Sequence, residues 1–202
     1  LSSGRVASYN SDYDEKTTAF NLDLKKQLKG AGTEHQLSYG AAAENTNFSQ
    51  WRNSSSTGIA RGMPRSTGKS VAIYAQDHIK LGDTGLSLTP GVRYDQYSIT
   101  AKPDSAYLAS NPYDKAPAKN TGNQASFKLG STYKIDAVNS LFGQFAQGYK
   151  APDMNQLYEN YDRPGAYAGK ANPNLKPESV DSIEAGYRFQ GERANFEMTA
   201  FH

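Results

Sequence analysis

Polar and apolar residues alternate with a period of two in eight segments of this 202-residue chain. Successive side chains of a β-strand point to opposite faces, so the period predicts strands with one apolar and one polar face. In one segment, for example, Leu88, Val92 and Tyr94 lie opposite Arg93 and Asp95. Both faces of 139–149 are mixed, so its orientation stays open. The eight segments are 17–28, 34–45, 69–81, 86–99, 123–136, 139–149, 180–190 and 194–202.

The connections between these segments alternate between short and long. Three of the four short turns contain glycine, which is favoured where φ must become positive. A sheet with tight turns at one edge and long loops at the other is typical of an antiparallel transmembrane β-barrel, whose long loops face the cell exterior. Strands of roughly 10–14 residues also suit a membrane, where about 9–11 residues span the bilayer at 45° tilt. The short turns are 29–33, 82–85, 136–138 and 190–193, and the long loops are 46–68, 100–122 and 150–179.

Composition excludes several classes of protein. No apolar run approaches the roughly 18 residues of a membrane helix, and a mean hydropathy of −0.75 is compatible with a barrel because lumen-facing residues are polar. The net charge is only +2 and the cations are scattered, which argues against nucleic acid as a partner. The chain has no cysteine, so it has neither disulfides nor a thiolate metal site.

Two other classes of protein fit the sequence less well than the barrel. A soluble all-β domain, such as a sandwich or an adhesin module, is disfavoured because loops longer than about 12–15 residues are uncommon in compact domains. An enzyme is disfavoured because nucleophile-elbow, phosphate-loop and zinc-protease motifs are missing. Carboxylates such as Asp77, Asp95 and Glu184 are expected among lumen-facing cations, where they need perform no chemistry.

Two proline-containing phrases stand at the ends of the third long loop. They are Gly-Tyr-Lys-Ala-Pro at 148–152 and Asn-Pro-Asn-Leu-Lys-Pro-Glu at 172–178. Proline fixes φ and restricts the residue before it to extended geometry. The loop is therefore predicted to be held in place at both ends.

These two phrases resemble the pair that brackets an extracellular loop in TonB-dependent outer-membrane receptors. The stretches at 74–77, 86–95 and 141–152 are similar to strands of the same family. The resemblance implies a barrel of about 22 strands with an N-terminal plug. The resemblance further implies that residues 1–202 supply about eight of these strands as part of one barrel domain, and that the plug that contacts TonB lies outside them.

The resemblance is greatest to the haem and haemoglobin receptor branch, which implies haem as the transported ligand, with no catalytic cofactor. Receptors for cobalamin carry a similar pair of phrases, but their intervening loop is shorter than 153–171. A receptor for a ferric siderophore or cobalamin is therefore the first alternative, and a passive porin is the second. The partners implied are the TonB complex through the missing plug, haem or a haemoglobin-type ligand, and outer-membrane lipid.

Many haem receptors place an iron-binding histidine in this loop, but 153–171 contains none. Some members of the branch offer tyrosine instead, and a phenolate oxygen suits ferric haem once the phenol loses its proton. Basic residues of the loop could receive the haem propionates. Tyrosine is also common in barrel girdles and loops, so each residue has a plain structural alternative. The candidates are Tyr158, Tyr161 and Tyr167 as axial ligands, with Arg163 and Lys170 as propionate partners.

The three histidines are expected to form hydrogen bonds and not to bind a metal. No two of them have the close spacing of a protein metal site. His35 and His78 are predicted at the edge with short turns, which is the wrong edge for capture from outside. His202 is left without an assigned role.

The assignment of faces predicts the outcome of one pair of substitutions. Leu88→Arg should destabilise the barrel by about 2–4 kcal/mol, because the new charge would face lipid. Exchange of Arg93 for another polar residue should be tolerated, since it faces the lumen. Denaturant unfolding of the receptor in vesicles measures both changes, and equal tolerance of the two would show that the faces are wrongly assigned.

Overall fold

A computed structural model describes the backbone of residues 9–54, 58–111, 117–159, 161–163 and 167–202. Antiparallel strands follow one another in the sheet in the order β1, β2, β4, β5, β6, β7, β10, β11, with β3 paired to β2 and a separate hairpin of β8 and β9. The strands are β1 Tyr9–Gly30, β2 Thr33–Ser54, β3 Gly58–Ala60, β4 Arg65–Leu81, β5 Leu86–Lys102, β6 Asn120–Lys134, β7 Asn139–Lys150, β8 Tyr161–Arg163, β9 Tyr167–Gly169, β10 Glu178–Gln190 and β11 Asn195–Phe201. The helices are α1 Ser105–Ser110 and α2 Met154–Tyr158.

All eight predicted strands are present, but the prediction of a first long loop at 46–68 is mostly wrong. β1 and β2 are 22 residues each and stay paired to Tyr9 and Ser54, so the region 46–54 is strand and not loop. The main-chain hydrogen bonds between β1 and β2 continue beyond the residues that alternate strongly. Both faces of the added residues carry polar side chains, so the sequence shows no alternation that would predict a strand there. The sequence also did not predict α1 or α2. Within the described residues, neither helix has the length and apolar character needed to cross a membrane.

The register of the sheet assigns every strand to one of two faces. Ile73 is the Cα partner of Tyr94, and Tyr94 is the Cα partner of Ala125, so these residues share the face that we call the outer face. Apolar side chains are exposed on it, including Ile73 at 62% and Phe127 at 53%. The opposite, inner face carries polar residues such as Arg93. The register also settles the orientation of β7. Leu141 and Phe145 of this strand are the Cα partners of Tyr133 and Leu129 on β6 and of Tyr187 and Ile183 on β10, so all six residues lie on the outer face.

Glycine permits the tight turns at one edge of the sheet. Gly32, Gly82 and Gly85 have positive φ values of 79°, 51° and 74°, as predicted for the first two glycine-containing turns. Gly191 in the last turn is not among the positive-φ residues, so the same prediction is wrong there. That turn closes through a hydrogen bond from the Gly191 N–H to the Ala194 carbonyl oxygen, 3.0 Å away, without left-handed backbone at Gly191.

Aromatic rings on the inner face lie over glycines of the neighbouring strand. A Cβ atom on Gly40 would lie 2.5 Å from the Tyr74 hydroxyl oxygen, and one on Gly122 would lie 2.5 Å from a ring carbon of Tyr97. Each ring therefore occupies the space of the side chain that its cross-strand partner lacks, an arrangement known to support glycine in sheets. Three such Cα-partner pairs are present: Tyr74 with Gly40, Tyr97 with Gly122, and Phe142 with Gly186.

Asp77 lies on the outer face, so its predicted place among lumen-facing charges is wrong. Strand β4 keeps its alternation through this region, and Asp77 is the Cα partner of the apolar Leu37. His35 accompanies it there, with Nδ1 2.7 Å from Asp77 Oδ2. A charged side chain among apolar residues requires such a partner. His78 does lie on the inner face, where its Nδ1 is 3.0 Å from Thr89 Oγ1.

The close contacts around Gly40 predict that this glycine tolerates no side chain, because a Cβ there would meet the Leu22 carbonyl oxygen as well as the Tyr74 ring. Gly40→Ala should destabilise the sheet by about 1–3 kcal/mol, the usual effect of overpacking. Gly130→Ala is the matched control, because a Cβ there would have no neighbour closer than 3.6 Å. The free energy of unfolding in denaturant measures the difference, and equal values for the two variants would contradict the close packing at Gly40.

Candidate functional site

The end of β7 leans over the inner face of the sheet. Its pairing with β6 stops at Ala146 and Lys128, although its pairing with β10 continues. The Tyr149 ring then lies with its centroid 6.3 Å from that of Tyr97 on β5. The Tyr97 ring lies over Gly122 of β6, its Cα partner, and contacts Tyr149 from there. The chain that follows β7 therefore begins above the inner face.

The first proline phrase leads into α2 and fixes where this helix starts. Pro152 is buried, and Asp153 after it has extended backbone as the residue that caps the helix. The Gln156 side-chain oxygen accepts a hydrogen bond from the Asp153 N–H at 3.2 Å. Lys150 Nζ lies 2.9 Å from Asp153 Oδ2 and ties the end of β7 to the same residue. The spacing Asp-x-x-Gln is a helix-start pattern that could have predicted α2 from the sequence.

Helix α2 packs against the inner face at the edge with the long loops. Leu157 and Tyr158 are both 0% exposed. Their buried neighbours are Met63 and two residues of β5, Tyr97 and Ile99. Burial of an apolar side chain contributes about 1.5–3 kcal/mol, so this small cluster is enough to hold a five-residue helix that has little stability of its own.

The structure gives the predicted ligand Tyr158 a place inside this cluster. Its hydroxyl group is the donor to two main-chain carbonyl oxygens, that of Ile99 at 3.0 Å and that of Ala118 at 2.9 Å, which share its one proton. Burial raises the pKa of the Tyr158 phenol above its ordinary value. The stabilisation from this neutral phenol is therefore complete below about pH 10 and is lost as the pH rises through the higher pKa of the folded state.

The second proline phrase folds into a turn that joins α2 to β6. The Leu175 N–H donates to the Asn172 carbonyl oxygen at 3.3 Å, and the Asn172 N–H donates to the Gln156 carbonyl oxygen at 3.1 Å. The Asn120 side-chain amide donates to the carbonyl oxygens of Pro173 and Leu175, both at 2.9 Å. The structure thus supports the prediction that both ends of this loop are held in place.

Ionic contacts link the other long loops to this one. Arg61 is 0% exposed, lies with its guanidinium 3.3 Å from the Trp51 ring centroid, and has Nε 3.1 Å from Asp104 Oδ2. Burial lowers the pKa of Arg61, and the Asp104 carboxylate opposes this change. Asp104 also caps the start of α1. Arg52 Nη2 lies 3.9 Å from Glu159 Oε1, directly after α2.

The middle of the third loop contains the remaining predicted site residues. The backbone forms the β8–β9 hairpin, in which Tyr161 is the Cα partner of Gly169 and Arg163 is the partner of Tyr167. The side chains of Tyr161, Arg163 and Tyr167 lie outside the described residues. Lys170 follows the hairpin and is exposed. Where the structure does describe the chain, no group of three or more His, Cys, Asp or Glu residues could hold a metal ion.

A sequence profile described as TonB dependent receptor-like, beta-barrel matches residues 2–202. The chain belongs to this family. TonB-dependent receptors reside in the bacterial outer membrane, so the outer face of the sheet contacts lipid and the inner face lines the barrel lumen. A solved structure of the Serratia marcescens hemophore receptor HasR, in complex with its hemophore HasA and heme, has a TM-score of 0.75 at 15% identity over 96% of this chain and 33% of that chain. The predicted family, barrel fold and location are confirmed.

Curated relatives of this TonB-dependent receptor match over part of their length. Hemoglobin-haptoglobin utilization protein B of Neisseria meningitidis is 28% identical over 124 residues, which are 59% of this chain and 15% of the relative. The hemin receptor of Yersinia pestis is 28% identical over 139 residues, or 64% and 19%. "Probable TonB-dependent siderophore receptor PirA" of Acinetobacter baumannii is 26% identical over 174 residues, or 78% and 20%. The chain therefore spans about a fifth or less of these relatives.

The packing of α2 predicts how the loop responds to a cavity. Leu157→Ala should destabilise the docked helix by about 2–5 kcal/mol, because the residue is buried and the site has few other apolar contacts. Hydrogen exchange of the intact receptor should then become faster in 154–158 and 172–175, while strands β1 and β2 remain protected. Leu108, exposed on α1, supplies the control variant Leu108→Ala. Unchanged exchange in Leu157→Ala would show that α2 is held by other contacts.

Proposed function

We propose that the receptor containing this chain binds haem, free or from haemoglobin, at its extracellular side and imports it with energy transmitted by TonB. The observation that carries the proposal is the set of relatives named for haemoglobin and hemin use. The folded loop supports it, since α2 and the 172–175 turn, which flank the tyrosine-bearing hairpin in the chain, are both tied to the inner side of the sheet. This family consists of transport receptors, and haem in this proposal is cargo, not a catalytic cofactor.

We propose that residues 1–202 form one part of a longer barrel. The fraction of each relative that the chain spans supports this division, because the rest of those proteins has no counterpart here. In the complete receptor, a plug domain would fill the lumen and contact TonB. The inner face described above, with ion pairs such as Arg93 with Asp95 at 2.9 Å, would then form its polar wall.

The proposed iron ligand is a tyrosine of the β8–β9 hairpin, Tyr161 or Tyr167. Tyr158 completes the original set of three, but its hydroxyl already donates to main-chain carbonyl groups, which favours the two hairpin residues. A phenolate is a hard anionic oxygen donor and matches ferric iron. Arg163 and Lys170 are proposed as partners for the haem propionates, because guanidinium and ammonium groups pair with carboxylates.

A ferric siderophore is the second candidate cargo. The relative PirA supports it, and its match covers more of this chain than the two haem-related matches do. A fixed loop containing tyrosine and basic residues could also receive an anionic iron chelate. Haem remains the first choice because the haem-related relatives have higher identity.

Haem titration of the purified intact receptor tests the ligand assignment. In one of Tyr161→Phe and Tyr167→Phe, the absorption bands of phenolate-bound ferric haem should disappear and affinity should fall, because the axial oxygen is lost. Tyr158→Phe should keep those bands. If all three variants keep the wild-type spectrum and affinity, tyrosine ligation is wrong, whereas haem binding itself can still be measured.

Growth and uptake assays test the cargo and the energy source. Cells that depend on this receptor should grow on haem or haemoglobin as sole iron source, and uptake should stop when the proton-motive force is collapsed. Growth on ferric siderophores but not on haem would identify the alternative cargo. Uptake that continues without the proton-motive force would indicate a passive pore and would contradict the whole proposal.

A further inference from the structure

The outer face changes from apolar to polar on the loop side of β4, β5 and β6. Cα partners across these strands form rows, and the row of Ile73, Tyr94 and Ala125 is the last apolar one. Tyrosine at such a boundary is typical of the aromatic girdle of a membrane barrel. The next two rows toward the long loops are Val71, Gln96 and Asn123, then Lys69, Ser98 and Thr121.

The length of the apolar part places this polar region at the height of the lipid head groups. From Ile73 to Leu81 the strand rises by about 19 Å along the membrane normal, at roughly 3.4 Å per residue and 45° tilt. The apolar band of an outer-membrane barrel is about 25 Å tall. Lys69, two rows above Ile73, therefore lies at or just outside the extracellular boundary of the hydrocarbon.

A shallow groove lies in this polar region between β4, β5 and β6. Its volume is about 400 Å³. Gln96, Thr121 and Asn123 are exposed beside Lys69, so amide and hydroxyl groups surround an ammonium group. The side chains of the outer face that line the groove are Lys69, Val71, Gln96, Ser98, Thr121 and Asn123.

Two lysines of the outer face carry positive charge that no protein carboxylate neutralises: Lys69, which lines the groove, and Lys102, which lies beyond the lining residues toward the long loops. In the described part of the chain, neither Lys69 nor Lys102 has a hydrogen-bond or ion-pair partner, and both are exposed. Arg65, the Cα partner of Lys102, does contact an acid, with Nε 3.5 Å from Asp104 Oδ2. Other lysines of the described chain do pair with acids: Lys29 and Lys80 with Glu34, and Lys150 with Asp153. The outward positions of β4 and β5 above the apolar band contain no Asp or Glu.

We propose that this groove binds the head group of a phosphorylated glycolipid of the outer leaflet. One phosphate group would pair with Lys69 in the groove and another with Lys102 beyond it, while sugar hydroxyl and amide groups would bond to the polar side chains that line the groove. The two lysines are four residues apart along adjacent strands, so their Cα atoms are about 14 Å apart. Cations at two heights suit a head group that carries more than one phosphate.

Binding of bis-phosphorylated lipid A to the delipidated, intact receptor tests the proposal. Native mass spectrometry measures how much lipid is retained, and a titration gives the affinity. Lys69→Gln and Lys102→Gln should each weaken binding about fivefold, the effect of about one surface cation on an anionic lipid. The double variant should lose about the product of the two effects. Lipid A without its phosphates should bind the wild type as weakly as lipid A binds the double variant.

Lys26→Gln is the matched control, because Lys26 is an exposed lysine on the outer face in the half of β1 near the short turns. It should bind lipid A as the wild type does. The proposal is overturned if the double variant keeps wild-type affinity, if dephosphorylated lipid A binds equally well, or if phosphatidylglycerol binds as tightly as lipid A. Lys69→Arg should retain binding, which excludes a folding defect. Haem titration of these variants should be unchanged, so the result is separate from the test of the cargo.

Discussion

The pairing of main-chain polar groups is the constraint on which this structure depends. In hydrocarbon, an unpaired N–H or C=O group is costly, so a chain of strands can cross a bilayer only as a sheet whose ladders are complete. The register from β1 to β11 meets this requirement over most of the apolar band. Between β6 and β7 the ladder ends at Lys128 and Ala146, and the Phe127 N–H donates instead to the side-chain oxygen of Gln147 at 3.3 Å. Once the ladder is fixed, the period of two decides which side chains meet lipid and which meet the lumen. This alternation places one carboxylate, that of Asp77, on the lipid side of β4, and His35 pairs with it there.

Glycine on the inner face makes room for aromatic rings of the neighbouring strands. An aromatic ring lies over each of three inner glycines, and this fills the wall without adding a second layer of side chains. Near Gly122, which the Tyr97 ring covers, Tyr149 of β7 contacts Tyr97 of β5. Pairing between β6 and β7 ends at Lys128 and Ala146 in the same part of the sheet. The chain that follows β7 packs α2 against the inner face there.

The three long loops behave as one folded layer because buried contacts join them. Arg61 and Asp104 connect the first two, and the cluster of Leu157, Tyr158 and Ile99 connects the third to the wall. A buried arginine is stable only when stacked and paired, and Trp51 and Asp104 supply both contacts. The chain enters and leaves the β8–β9 hairpin from segments that this layer holds, α2 and the 172–175 turn.

The number of strands and their two faces followed from the period of two in the sequence. The edge with short turns followed from the lengths of the connections and their glycines. Both are local features, because neighbouring residues alone determine alternation and turn chemistry. The predictions for Gly191, Asp77 and the loop at 46–68 were wrong, and α2 was missed. Only the extension of β2 through 46–54 depends on pairing with a distant strand, β1. The face of Asp77 follows from the alternation of β4, and the start of α2 follows from the spacing of Asp153 and Gln156. The ligand role of the loop tyrosines stays a prediction. The sequence by itself determined that this chain is a membrane β-sheet with two unlike edges. Only the tertiary structure decided that its third loop turns inward, because that direction depends on Tyr97, Gly122 and Tyr149 meeting across three strands.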